Sequence, residues 1–230
     1  MKTVREAVTD RTPKALPEAV EVLKRAPRVK FDETVEISLK LNTDPKQTDQ
    51  NVRGTVGLPH GTGKTVRIAV ICKGEEQQKA REAGAEVVGD SELIEKISGG
   101  WMEFDVMVAM PDMMRDLSKL GKLLGPRGLM PSPKAGTVTQ DVAKAVRELK
   151  AGKMEFRMDK NGSLNAGAGR ISFPEAALVE NITTLVRAVE RAKPASVKGR
   201  LIKTMSVSTT MGPGVRVDLG TVLAVEEAVV

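Results

Sequence analysis

The spacing of apolar residues changes character twice along this chain, near residue 62 and again near residue 154, and this double change restricts the fold more than any other feature. Between those points short apolar runs alternate with helix-type spacing. Val66-Arg67-Ile68-Ala69-Val70-Ile71-Cys72 suits a buried parallel strand, and Glu75 to Ala83 then reads as a helix stopped by Gly84. Ala85 to Val88 reads as a second strand, and Ser91 as the cap of a helix whose Leu93, Ile94 and Ile97 share a face. Asp105 to Ala109 follows as a third strand, with a further helix from about Asp112. Val142, Ala145, Val146 and Leu149 fall at i, i+3, i+4 and i+7 and mark one more amphipathic helix. Such alternation predicts βαβ units around a mainly parallel sheet.

The flanks read differently. Thr34 to Leu41 and Asn51 to Gly57 are strand-like and separated by a polar turn with Asn42, Asp44 and Pro45; Met154 to Met158, Leu201 to Thr209 and Val215 to Val217 are strand-like on the far side. A helix from about Leu16 ends before Pro27. A second opens with a capping box, Ser172-x-x-Glu175, and carries Leu178, Ile182, Leu185, Val186 and Val189 on one face. Neither flank alone has the apolar residues for a core. The expected fold class is therefore α/β and α+β in two domains: residues 1–61 plus 154–230 as a discontinuous α+β domain from both termini, and residues 62–153 as an inserted domain of βαβ units.

A formal charge of +6 and a pI near 9.4 favour polyanionic partners. One cysteine, Cys72, excludes an intrachain disulfide, and one histidine, His60, cannot supply a Cys/His zinc cluster, so no metal or other cofactor is expected and a reducing compartment fits. No apolar run nears the roughly 20 residues of a membrane span. Glu6 and Asp10 among the N-terminal bases are unlike a targeting peptide. A soluble, unprocessed cytoplasmic protein is the expectation. The aromatic residues are Phe31, Trp101, Phe104, Phe156 and Phe173, with no tyrosine, which argues against an RNA module built on base stacking.

Gly57-Leu58-Pro59-His60-Gly61-Thr62-Gly63-Lys64-Thr65 imitates a phosphate-binding loop, but Leu58 stands where that pattern needs glycine, and a strand follows rather than a helix. A connector is the better reading. His60 lies in that connector with no second histidine, and Cys72 lies in an apolar strand where a cysteine acts as a small hydrophobe. Met113, Met114 and Met130 read as core or loop anchors. Gly121 to Gly136 reads as a long proline-stiffened loop carrying Lys122, Arg127 and Lys134 without an acid; a phosphate-facing loop and a solvated connector are both open readings.

From Lys193 to Val217 there is no acid, while Lys193, Lys198, Arg200, Lys203 and Arg216 are basic. The strand-like Met205 to Thr209 runs into Thr210-Met211-Gly212-Pro213-Gly214, a turn of small and hydroxyl residues. Gly212 permits close backbone approach, Ser208 and Thr210 can bond 2′-hydroxyls and phosphates, and Met211 can press on a base or ribose. On composition alone, an ordinary hairpin turn is the stronger reading.

Lys30-Phe31-Asp32-Glu33-Thr34-Val35-Glu36, Asn51 to Val56, Leu58 to Gly61, Gly125 to Pro131, Gly152 to Arg157 and Ser208 to Pro213 together resemble the motifs of the bacterial ribosomal protein L1 family, in order and over essentially the whole chain. The resemblance implies a non-enzymatic constituent of the large ribosomal subunit whose terminal segments form the main rRNA-binding domain and whose middle, residues 62–153, forms an inserted Rossmann-like domain. It further implies 23S rRNA at the mobile stalk, exit-site tRNA whose release it assists, its own mRNA as a repressor target, and other large-subunit components as partners of a monomer. Lys30, Phe31, Thr34 and Lys40 match one half of the family's RNA surface and Ser208, Thr210, Met211 and Gly212 the other. Arg170 stands where a basic residue is usual. Asn165-Ala166-Gly167-Ala168 departs from the family's usual histidine and proline, the N-terminus is several residues shorter than most, and no role attaches to the tail ending Glu226-Glu227-Ala228-Val229-Val230. The rival reading, a Rossmann-type nucleotide-binding enzyme, lacks G-x-G-x-x-G after Cys72, where Lys73-Gly74-Glu75-Glu76 stands instead.

Overall fold

The structure is a computed structural model that describes residues 12–25, 29–45 and 47–223; the readings that fall on residues 1–11, Pro27 and the Glu226 to Val230 tail lie outside the described residues. In chain order the elements are helix α1 (Leu16–Arg25), strands β1 (Thr34–Leu41), β2 (Arg53–Gly57) and β3 (Ile68–Ile71), helix α2 (Glu76–Glu82), strand β4 (Val87–Gly89), helix α3 (Ser91–Ser98) and strand β5 (Val106–Ala109). Helices α4 (Met114–Leu117), α5 (Gly121–Leu124) and α6 (Val142–Lys150) come next, then strands β6 (Lys153–Arg157) and β7 (Ser163–Arg170), helix α7 (Glu175–Arg191), strands β8 (Ile202–Thr209) and β9 (Val215–Val217), and helix α8 (Leu219–Leu223). The fold is mixed α/β. It divides into two compact units, Met1–Gly63 with Met154–Val230, and Lys64–Lys153. No helix among the described residues is long and apolar enough to cross a membrane.

The first unit is built on an antiparallel sheet in the order β7-β1-β8-β9, beside a two-stranded β2-β6 ribbon. Strict alternation in β1 sends Val35, Ile37, Leu39 and Leu41 to one face, where they join Leu16, Val20 and Leu23 of α1 and Leu178, Ile182, Leu185 and Val189 of α7 in a single core. Each such side chain contributes about 1.5–3 kcal/mol when fully buried. The other face of the sheet stays polar.

The residue pattern does not predict strand β7. Ser-Leu-Asn-Ala-Gly-Ala-Gly-Arg has no β-branched residue, so its strand form comes from pairing along the whole of β1 rather than from propensity. The register slips between Val35 and Glu36, and Gly169 occupies the bulge at φ 152° under Phe173 and Leu178, where a Cβ would stand 3.1 Å from both side chains. The expected capping box also fails. Pro174 holds the N-cap position of α7, and the Ser172 hydroxyl donates instead to Asp32 Oδ2 at 2.8 Å, a charged and therefore stronger acceptor. Likewise Ser91 is the first residue of α3 rather than its cap, which is Asp90, whose carboxylate makes no capping bond and accepts from the Ser91 hydroxyl at 3.4 Å.

In the second unit, three parallel strands lie in the order β4-β3-β5. Ala69, Ile71, Met107 and Ala109 pack against α3, α4 and α5 on one face; Ile68, Val70, Cys72 and Val108 pack against α2 and α6 on the other. The stretch read as one long loop contains structure. Gly121–Leu124 is helical because Leu120 and Leu124 are buried in the first of those clusters, and Pro133–Ala135 forms a 3-10 turn closed by Gly136 at φ 66°.

Candidate nucleic-acid interface

The register of β1 decides what stands on the polar face of the first unit. Glu36, Ser38 and Lys40 pair with Ser208, Ser206 and Thr204 of β8 on one side and with Gly167, Asn165 and Ser163 of β7 on the other. Arg216 of β9 extends the row beside Ser206. All of these side chains point away from the core, and except for Glu36, Lys40 and Arg216 they are short, with hydroxyl, amide or no side-chain groups. Such a surface is low enough for a sugar-phosphate backbone to lie on, and its hydroxyls can donate to or accept from 2′-hydroxyls. Ser38 Oγ donates to Asn165 Oδ1 at 2.7 Å, so the Asn165-Ala166-Gly167-Ala168 departure still contributes a polar group here.

At one end of this face the two halves of the expected site meet. Thr210 N–H donates to the Thr34 carbonyl at 3.1 Å, and Thr34 N–H returns a bond to Thr210 Oγ1 at 3.1 Å. Beneath the turn lies Glu33, buried at 5% exposure, whose Oε1 accepts from Met211 N–H at 2.9 Å and from the Thr209 hydroxyl at 3.3 Å. The turn closes with Gly212 N–H on the Thr209 carbonyl at 3.1 Å, and a Cβ on Gly212 would lie 2.2 Å from Thr209 Oγ1. A larger residue there would displace the Thr209 hydroxyl from its bond to Glu33. With its backbone amide committed to Glu33, Met211 turns its side chain outward at 61% exposure, and Phe31 is likewise 54% exposed. With Leu123 of the second unit, they are the exposed large hydrophobic side chains among the described residues.

Arg170 pairs with Thr34 in the sheet, and its guanidinium donates to the Asp32 carbonyl at 2.8 Å. Asp32 in turn accepts from Ser172 N–H at 3.2 Å, which fixes the Lys30 to Glu33 segment against the end of β7. Ser208, Gly212 and exposed Lys30 complete that end. Lys40 lies at the far end of β1, about 20 Å away for six residues of strand, where its ammonium bonds the Asn161 carbonyl. Asp32, Glu33, Ser38 and Asn165 were missed in the sequence; the period-2 alternation of β1 was the available signal for Ser38, while the other three depend on contacts between remote segments. Lys122, Arg127 and Lys134 belong to the second unit and are exposed.

The other chemically suggestive residues have structural occupations. His60 Nε2 lies 2.6 Å from Glu180 Oε2, and its amide donates to Asn181, a fully buried side chain whose Nδ2 binds the carbonyls of Gly61 and Ala168 at 2.9 and 2.8 Å. Burial, reinforced by the carboxylates of Glu76 and Asp90, pushes the Cys72 thiol up to about 11, so it stays protonated and unreactive. The backbone N–H of Arg67, with the Lys64 ammonium, holds Asp105 down at about 2 and ties the start of β3 to the start of β5. Among the described residues no group of three His, Cys, Asp or Glu side chains is placed to hold a metal ion.

Residues 22–213 match the ribosomal protein L1p/L10e family. The chain is 58% identical over 202 residues to the large ribosomal subunit protein uL1 of Protochlamydia amoebophila, covering 88% of this chain and 86% of that protein. It is 53% identical over 210 residues to the uL1 protein of Chlamydia caviae and 54% identical over 210 residues to that of Chlamydia abortus, each alignment covering 91% of this chain and 90% of the relative. A match of this extent, spanning both compact units, means that the chain belongs to the ribosomal protein L1p/L10e family and is of its bacterial uL1 type.

Proposed function

We propose that this protein is a non-enzymatic constituent of the large subunit of the cytoplasmic ribosome that binds 23S rRNA at the mobile stalk through the end of the polar sheet face. The observation that carries the reading is the reciprocal Thr34–Thr210 bonding above buried Glu33, which presents Met211 and Phe31 to solvent beside a row of hydroxyls. Apolar groups that cover a ribose or base, flanked by donors and acceptors for 2′-hydroxyls, suit a folded RNA better than duplex DNA. Lys30, Lys40 and Arg170 supply phosphate contacts.

In this reading the unit made of both terminal segments is the RNA-binding α+β domain, and Lys64–Lys153 is an inserted Rossmann-like domain, consistent with its parallel β4-β3-β5 sheet covered on both faces. Lys122, Arg127 and Lys134 then form a secondary RNA-facing loop. Assistance to exit-site tRNA release and repression through the chain's own mRNA follow if a stalk-like RNA hairpin is the common ligand. The test is binding of a short rRNA stalk fragment. Thr210→Ala and Met211→Ala should each weaken it about tenfold, the usual cost of losing one good contact of ~1.4 kcal/mol, with unchanged circular dichroism. Full affinity in both variants would remove the site assignment.

A further inference from the structure

The first unit carries a second feature that the polar sheet face does not use. Between β2 and the C-terminal half of α7 lies a cleft of about 450 Å³ whose lining includes Thr55, Val56, Thr184, Arg187, Ala188 and Arg191. Thr184, Arg187 and Arg191 fall at i, i+3 and i+7, so helical geometry alone places them in one stripe. No acid lines the cleft. Elsewhere on this helix Glu180 faces His60 at 2.6 Å, while Glu190 Oε2 is buried without a hydrogen-bond partner, its carboxyl pushed up by burial against the opposing pull of Lys193 and Arg200.

Both arginines are poorly provided for as they stand. Arg187 Nε is buried without a hydrogen-bond partner, and neither Arg187 nor Arg191 makes an ion pair among the described residues. A buried guanidinium N–H without an acceptor and two like charges one helical turn apart are each unfavourable. A tetrahedral anion in the cleft would offset the repulsion between the two guanidinium groups and can accept from them and from the hydroxyls of Thr55 and Thr184.

We infer that this cleft seats a phosphodiester group of an RNA backbone, giving the first unit a second RNA contact distinct from the polar sheet face. The inference rests on the reading of the chain as an RNA-binding protein but on different atoms. Helix α7 packs under the buried side of the sheet, so the cleft lies on the helical side and not on the face that carries Ser206 and Ser208. One unit would then hold two RNA segments, or a single segment that turns around its edge.

The test uses the full isotope-labelled chain carrying Thr210→Ala and Met211→Ala, titrated in parallel with a short oligouridylate and with inorganic phosphate. The Arg187 Nε–H resonance should move with the oligouridylate. Adding Arg187→Gln and Arg191→Gln should weaken oligouridylate binding about tenfold and lower the slope of log affinity against log salt by about 1, as loss of one to two phosphate contacts requires. An unmoved resonance, or an unchanged affinity and slope in the glutamine pair, overturns the inference. So does a response to inorganic phosphate without one to the oligouridylate, which would mark an adventitious or free-phosphate site. Because the resonance is read with both arginines in place, poor folding of the glutamine pair leaves the test intact. If Thr210→Ala and Met211→Ala leave stalk-fragment binding untouched while the Arg187 resonance responds, the reading of the sheet face fails and this one stands.

Discussion

Glu33 accepts from both Met211 N–H and the Thr209 hydroxyl, at 2.9 and 3.3 Å, from beneath the turn that faces RNA. A hydrogen bond to a charged acceptor contributes about 1.5–3 kcal/mol, so Glu33→Gln, which keeps the shape but removes the charge, should loosen the turn and weaken stalk-fragment binding about tenfold. Equal affinity, measured by filter binding, would mean that the turn holds its shape without the carboxylate. Gly212→Ala tests the same turn from the other side. Its Cβ would overlap Thr209 Oγ1 at 2.2 Å, so binding should fall at least as far as in Met211→Ala, although no RNA-facing group has been removed. At this scale the sequence was only half legible. The small, hydroxyl-bearing character of Ser208 to Pro213 could be read locally, and the family resemblance singled it out. The role of Glu33 could not be read, because its partner Met211 lies 178 positions away.

Elements whose residues carry their own preference were legible, and those formed by a neighbour were not. Strand β1 alternates through Val35, Ile37, Leu39 and Leu41, and Val215–Val217 is β-branched at both ends; both have the bounds expected from pattern. Strand β7, with Ala and Gly at its centre, is specified by β1, and the short helix at Gly121–Leu124 is specified by what Leu124 packs against. Side chains also take over work expected of strand backbone. Asp105, read as the first residue of β5, precedes the strand and uses its carboxylate on Arg67 N–H and Lys64. Its pKa is depressed from 3.8 to about 2, so its contribution to stability is complete above about 4 and is lost as pH falls towards 2. Asp105→Asn should therefore lower the thermal midpoint at neutral pH and remove that part of the acid dependence; parallel acid titrations of variant and parent would contradict the assignment. The Cys72 thiol, raised to about 11, should react with a thiol reagent at pH 8 only after denaturant is added.

On the scale of the whole molecule, the core of the first unit is drawn from residues between Leu16 and Leu58 and between Phe156 and Val222, with nothing from Lys64–Lys153. A variant in which residues 62–153 are replaced by a short glycine linker should thus fold cooperatively and still bind the stalk fragment. A folded variant that does not bind would assign part of the primary site to the removed segment. The distribution of methionine across the molecule has a further consequence. Met107, Met113, Met158 and Met205 are buried, whereas Met211 stands 61% exposed at the tip of the turn. Among the described methionines peroxide should therefore reach that thioether first, and sulfoxide there puts a polar oxygen where an apolar surface meets ribose. Unassembled chains would lose their RNA affinity to oxidation before they lose their fold, while RNA seated on the turn would shield the one sulfur on which the contact depends.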